Sequence, residues 1–193
     1  LRAMDNDLPR FLRGELLIAM PGMGDQRFER SVIFLCDHSA EGAMGLIVNK
    51  PAPELAFAAL LSQLKIEASV ALDRTPVHVG GPAEHGRGFV LPSADYAVEQ
   101  ASMRVTADFT MTPTIDILQD MARGAGPKRA LLARGYSGWG AGQLESEIQA
   151  NGWLTAPAGL ELVFGLADDE KWAAALRSIA IDPRLLSAEG GRA

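Results

Sequence analysis

The stretch Glu15–Lys50, ELLIAMPGMGDQRFERSVIFLCDHSAEGAMGLIVNK, decides the fold class. Glu15 to Met20 reads as a buried strand that ends at Pro21-Gly22-Met23-Gly24, a run that must turn. Ser31 to Cys36 is a continuous apolar, β-branched run and reads as a second buried strand. Gly42 to Asn49 is a third, its start loosened by Gly42 and Gly45. Three strands joined by short turns form a meander and not βαβ units, so the chain is read as α+β.

Downstream the period changes. Phe57, Leu60, Leu61 and Leu64 fall at i, i+3, i+4, i+7 within Glu54 to Lys65, one apolar helical stripe preceded by Pro53. Glu67 to Thr75 is a polar connector. Val77 to Val79 and Gly88 to Leu91 read as strands around Gly80-Gly81-Pro82. Met103 to Met111 alternates apolar and polar residues and reads as a single half-buried strand. Thr112 as N-cap and Pro113 at the first turn open a helix carrying Ile117, Leu118 and Met121, which Gly124 and Pro127 stop. Arg129 to Gly135 reads as a strand, and Gly138 to Gly142 leads into a helix with Leu144 and Ile148 one turn apart. Leu160 to Phe164 reads as a short strand. Asp168 or Asp169 caps a helix whose stripe is Trp172, Ala175, Leu176 and Ile179, and Asp182-Pro183 starts a last short helix. A single domain over 8–188 is expected, with flexible termini at 1–7 and 189–193.

Composition sets outer limits. Of 193 residues, 48% are hydrophobic and 22% charged, ordinary values for a globular domain and incompatible with overall disorder. The single Cys36 excludes an internal disulfide framework, and three histidines leave little material for a metal site. A net charge of −6 argues against a large basic face for nucleic acid. No apolar run approaches the ~20 residues a membrane span needs. Leu16 to Met20 is too short for a signal-peptide core, so a cytoplasmic location is the expectation.

Two glycine-rich segments are the candidate ligand sites. Gly135-Tyr136-Ser137-Gly138-Trp139-Gly140-Ala141-Gly142-Gln143 follows a strand and precedes a helix, a geometry that offers backbone N–H groups to an anion. It is neither a Walker A motif nor a dinucleotide fingerprint, and a tight turn with Trp139 packed in the core is the simpler reading, because helix N-termini outnumber phosphate sites. Pro21-Gly22-Met23-Gly24-Asp25, with Arg27 and Arg30 beyond it, is either a ligand loop with Arg as anion partner or a solvated hairpin loop. The candidate ligand-binding residues are therefore Gly22, Gly24, Asp25, Arg30, Gly138, Trp139, Gly140, Gly142 and Gln143. Trp139, Trp153 and Trp172 are expected in the core or in a pocket wall.

Catalytic chemistry finds less support. Cys36-Asp37-His38 suggests a Cys/His pair, but Cys36 and His38 share a face only if the strand runs on to His38, and Cys36 ends an apolar run. Ser137 lies between glycines without the G-x-S-x-G elbow. His38, His78 and His85 lack metal-ligand spacing. Asp37, Glu41, Glu84, Asp108 and Glu145 read as surface or capping residues. No catalytic residue, cofactor or metal is assigned.

Three long segments carry a family resemblance: Gly14 to Pro51, Val77 to Ser93 (VHVGGPAEHGRGFVLPS) and Gly135 to Leu154 (GYSGWGAGQLESEIQANGWL). With Lys171 to Ser187 they resemble the AlgH/YqgE family of bacterial proteins over nearly the whole chain. Ala83, Arg134 and Pro92 depart from residues usual in that family, and Pro92 argues against a histidine-dependent role at its position. The resemblance implies a bifurcated mixed β-sheet curled into a pseudo-barrel with flanking helices. It implies no settled activity, although one member is associated with transcriptional regulation of exopolysaccharide production.

Three functions follow as expectations. The favoured one is a non-enzymatic regulatory or binding protein, whose glycine-loop surface takes a small anionic ligand or a protein partner. Direct DNA contact as a transcriptional regulator is the second, with Lys128, Arg129 and Arg134 as a thin basic footprint and no helix-turn-helix pair. An enzyme using Cys36 or the Gly135–Gln143 segment is the third, for which no nucleophile–base–orienter set can be read off.

Overall fold

A computed structural model describes residues 11–52, 57–67, 75–97, 102–111 and 114–186. The expected meander is present. Strands β1 (Glu15–Ala19), β2 (Val32–Ser39) and β3 (Gly42–Ile47) run antiparallel, with Leu17 opposite Ile33 and Phe34 opposite Leu46. Their side chains alternate between two cores. Leu16, Ile18, Val32, Phe34 and Leu46 enter one, and Leu17, Ile33, Leu35 and Ile47 enter the other. Burial on both faces is why these strands read as unbroken apolar runs.

The sheet has seven strands and branches at β8 (Ala130–Gly140). Residues 132–134 of β8 pair in parallel with β4 (Val77–Val79) and antiparallel with β5 (Ala83–Pro92), while 137–140 pair with β3. β9 (Trp153–Pro157) lies beside β1. The order is β4-β8-β3-β2-β1-β9, so the bifurcated mixed sheet is open and its ends do not close into a barrel. At the fork, backbones approach too closely for side chains. A Cβ on Gly80 would lie 2.3 Å from the Gly135 carbonyl, and one on Gly81 2.2 Å from Tyr136. The Gly80 amide donates to Arg134 O, and its carbonyl accepts from Ile47 N and from the Ser137 hydroxyl.

Helices cover both faces. α4 (Asp168–Ser178) lays Trp172, Ala175 and Leu176 on the first core. α3 (Gln143–Gln149) sets Leu144 in the second. α1 (Phe57–Gln63) and α2 (Thr114–Ala122) pack Phe57, Leu61, Ile117 and Leu118 against Val77, Val90 and Leu132. Leu64, the last residue of the α1 stripe, is exposed.

Several local expectations are corrected. Met103 to Met111 is not one strand but a hairpin of β6 (Met103–Arg104) and β7 (Thr110–Met111). The Thr106 hydroxyl accepts the Asp108 amide and Phe109 O accepts the amides of Val105 and Thr106, a polar turn that overrides the alternation. Leu160 to Phe164 is not a strand. A π-helical turn spans Glu161–Gly165 and buries Val163, a case where four apolar residues around Glu161 are too few to distinguish strand from helix. β8 extends through Gly138 to Gly140, so most of the Gly135–Gln143 segment is strand and not loop. Asp168 does not cap α4; it is the first helical residue, and its carboxylate turns inward. β9 carried no readable signal in the sequence. The short helix expected after Asp182 is a single 3-10 turn over Pro183–Leu185, with the Asp182 side chain accepting the Arg184 amide. Pro53, Thr112, Pro113, residues 1–7 and residues 189–193 lie outside the described residues.

Candidate functional site

The connector between β1 and β2 is shaped by Asp25. Its Oδ1 accepts the Arg27 amide at 3.0 Å, and the Arg27 guanidinium grips the same carboxylate through Nε (3.1 Å) and Nη2 (2.8 Å). The Arg27 hydrogen bond holds the Asp25 carboxyl below its usual range. One turn on, Phe28 meets Trp153 edge-to-face at 5.7 Å, and Trp153 meets Trp139 at 5.9 Å. Both indole N–H groups donate to Glu147 Oε2 of α3, at 2.6 Å from Trp139 and 3.3 Å from Trp153. One carboxylate therefore fixes two rings brought together from β8 and β9.

These rings form one side of an open cavity of about 1010 Å³ at the sheet rim, where the β2–β3 hairpin meets the end of β8. The cavity continues past Asp37, Glu41 and Ala43 to Met44, Phe89 and Tyr136, which pack on the opposite core. Phe89 and Tyr136 stack edge-to-face at 5.8 Å, and Arg87 lies 5.1 Å from the Phe89 ring centre.

The candidate residues divide among cavities. Asp25, Gly138, Trp139 and Gln143 line the rim cavity together, although 113 positions separate Asp25 from Gly138. Gly22, Gly24 and Arg30 line a neighbouring cavity of about 400 Å³, which Asp25 also borders. Arg30 reaches a third, of about 470 Å³, with Lys50, Asp168 and Trp172. Gly140 and Gly142 line none of the three. The Gly140 amide donates to Gln143 Oε1 at 2.9 Å, and Gly142 caps α3 in the left-handed region with φ of 72°. The Gln143 side chain thus takes the last amide of β8, and six of the nine residues of the Gly135–Gln143 segment are strand. Trp139, Trp153 and Trp172 are all buried, as expected. Sequence reading assigned no site role to Asp37, Glu147 or Phe89, while Tyr136 lay within the candidate Gly135–Gln143 segment and Trp153 was expected in the core or a pocket wall. Glu147 alone left a trace, one helical turn beyond Gln143.

A β-bulge between Leu35 and Asp37 decides the Cys/His question. The strand does reach His38, but Cys36 is the extra residue. Cys36 lies in the first core, and His38 faces Leu12 and Glu145 on the other side. Burial, with Asp37 adding to it, pushes the Cys36 thiol up to about 12. The Ser137 hydroxyl is buried and donates to Gly80 O. Neither is an activated nucleophile.

The histidines do not converge. His38 bonds Glu145, and His78 Nε2 lies 3.0 Å from both oxygens of Asp168. Lys171 Nζ donates to the same carboxylate at 2.9 Å and to Val48 O at 2.8 Å. Burial alone would raise the Asp168 carboxyl, but hydrogen bonds from His78 and Lys171 outweigh it and hold the group below its ordinary value. Among the described residues no group of three His, Cys, Asp or Glu could hold a metal ion. No described helix is long and apolar enough to cross a membrane.

Comparison with known proteins places this geometry. The model of a family described as AlgH-like matches residues 16–184. The chain belongs to the AlgH-like family. A UPF0301 protein of Ruegeria pomeroyi is 61% identical over 183 residues, covering 94% of this chain and 99% of its own. One from Paracoccus denitrificans is 55% identical over 184 residues, covering 94% and 97%. The solution structure of AlgH from Pseudomonas aeruginosa superposes with a TM-score of 0.76 at 37% identity, covering 98% of this chain and all of that one. A crystal structure of a Corynebacterium diphtheriae protein shares the fold, with a TM-score of 0.70 at 22% identity and coverage of 91% and 90%.

Proposed function

We propose that this AlgH-like protein is a non-enzymatic binding protein and that the rim cavity is its receiving surface. One observation carries the reading: two glycine segments far apart in sequence place Asp25, Gly138, Trp139 and Gln143 on a single open cavity. Its volume lies at the top of the range for ligand sites, about 300–1,000 Å³. The nucleophiles near it are buried or engaged, which supports binding without turnover. The DNA reading gains little support. Arg129 pairs with Glu161 at 3.2 Å, and Arg134 donates to the His85 carbonyl.

A small anionic ligand is the second reading, and Arg30 favours it. Its guanidinium lies 5.0 Å from the Trp172 ring centre and has no carboxylate partner among the described residues. It faces the neighbouring cavities and not the rim.

The test is thermal unfolding against nucleotides, phosphometabolites, short duplex DNA at two salt concentrations and a peptide pool, with the tryptophan indole N–H signals followed by NMR. The expected result is a ligand that raises Tm, moves the Trp139 and Trp153 signals and is recovered unchanged. A ligand that is consumed ends the non-enzymatic reading. One that moves only Trp172 shifts the site to Arg30. DNA stabilisation that fades with salt favours the DNA reading instead.

A further inference from the structure

We infer that the occupant of the rim cavity is an extended, basic and apolar segment of a partner protein. This rests on the binding reading above and names the chemistry of what binds.

Six charged side chains line the cavity, the acids Asp25, Asp37, Glu41 and Glu147 and the bases Arg27 and Arg87. The bases are already engaged. Arg27 is held by Asp25 through two side-chain hydrogen bonds, and Arg87 pairs with Glu84 at 3.5 Å while covering Phe89. Glu147 is taken by the two indoles. Asp37 and Glu41 remain. Both are exposed, and neither side chain bonds or pairs with any described residue. They stand at the end of β2 and on the hairpin tip, so the mouth of the cavity carries uncompensated negative charge. An anion placed there is repelled, and a cation is drawn in.

Shape selects the class of cation. The cavity straddles the rim: Met44, Phe89 and Tyr136 pack on one core, Trp139 and Trp153 on the other. An extended chain passing over the hairpin reaches both. Its Lys or Arg residues would meet Asp37 and Glu41, and its apolar residues the rings and the thioethers of Met23, Met44 and Met111, which adapt their shape readily.

The experiment is selection of random dodecapeptides displayed on phage against the full chain, followed by indole NMR with the synthetic peptides and, separately, inorganic phosphate. Enriched peptides are expected to combine Lys or Arg with large apolar residues, to move the Trp139 and Trp153 signals and to leave Trp172 in place. Each of Asp37→Asn and Glu41→Gln, with unchanged Tm, should weaken binding by about two- to fivefold, as expected for exposed charge pairs. Acidic or uncharged peptides that move the same two signals overturn the basic class and leave the receiving surface standing, as does phosphate that moves them. Peptides that move neither signal, or a selection that enriches nothing, overturn the peptide occupant, while the receiving surface stands or falls on the small-ligand arms of the thermal unfolding test.

Discussion

His38 joins two distant parts of the chain: its Nε2 lies 2.5 Å from Glu145 Oε1, while its Nδ1 accepts the Leu12 amide at 2.9 Å. A ring nitrogen that accepts carries no proton, so Nε2 holds it and donates to the carboxylate. This bond ties α3 to the end of β2 just behind the rim cavity. His38→Leu leaves the Leu12 amide without its acceptor and should cost about 1–3 kcal/mol. Glu145→Gln keeps an acceptor oxygen at a partly exposed site and should cost under about 1 kcal/mol. Urea unfolding of the two variants checks this, and equal losses would contradict the bonding scheme.

Asp168 should govern the acid limb of stability. Its carboxyl is held below the ordinary 3.8, so the ionised form is preferred in the fold. That contribution is complete above the unfolded value and is lost as pH falls through the lower folded value. Asp168→Asn should therefore flatten the stability profile below about pH 4, where the unfolded carboxyl takes up its proton. At neutral pH, Asp168→Ala leaves the buried Lys171 and His78 facing no carboxylate and should cost about 3–5 kcal/mol. Unfolding free energies from pH 7 to pH 2 test both; a variant with the parent's acid limb would exclude the assignment.

How much of this was legible follows from which forces act locally. The β1–β3 meander and the Trp172–Ala175–Leu176 stripe were readable because burial dictates residue type at fixed spacing. Met103–Met111 misled because its alternation is interrupted by a Thr106–Asp108 turn that only hydrogen bonding reveals. Asp25, Gly138, Trp139 and Gln143 stood out through the glycines around them. Asp37 did not, because its place on the cavity depends on the bulge at Cys36, and Glu147 did not, because its partners arrive from β8 and β9. Asp168 read as a cap because an acid at a helix start usually is one. His78 and Lys171 turn it inward; Lys171 stands at the i+3 spacing, but His78 arrives from β4, 90 positions away.

Cys36 should be unreactive until the protein unfolds. Its thiol is buried and pushed up to about 12 from an ordinary 9.0. A thiol-reactive aromatic disulfide at pH 8 should label it only in denaturant. Because the folded value exceeds the unfolded one, this thiol's contribution is complete below about pH 9 and is lost as pH rises towards 12. Cys36→Ala should remove that alkaline loss. Rapid labelling of the native chain would refute the buried placement.

The fork should tolerate no side chain at Gly80, although Gly140 six positions beyond Arg134 on β8 should accept one. A Cβ on Gly80 would lie 2.3 Å from the Gly135 carbonyl and 3.0 Å from the Ala133 Cβ, so backbone would have to give way. The Gly80 amide and carbonyl also link β3 to β8, and moving them strains the bonds to Ile47, Arg134 and Ser137 together. Gly80→Ala should therefore cost about 3 kcal/mol or more, in the range of overpacking at a fixed site. A Cβ on Gly140 meets only the Gln143 side-chain oxygen, at 3.9 Å, so Gly140→Ala should change stability by less than about 0.5 kcal/mol. If thermal unfolding gave both substitutions the same cost, the close approach at Gly80 would not be what holds the branch, and glycine at position 80 would need another physical reason.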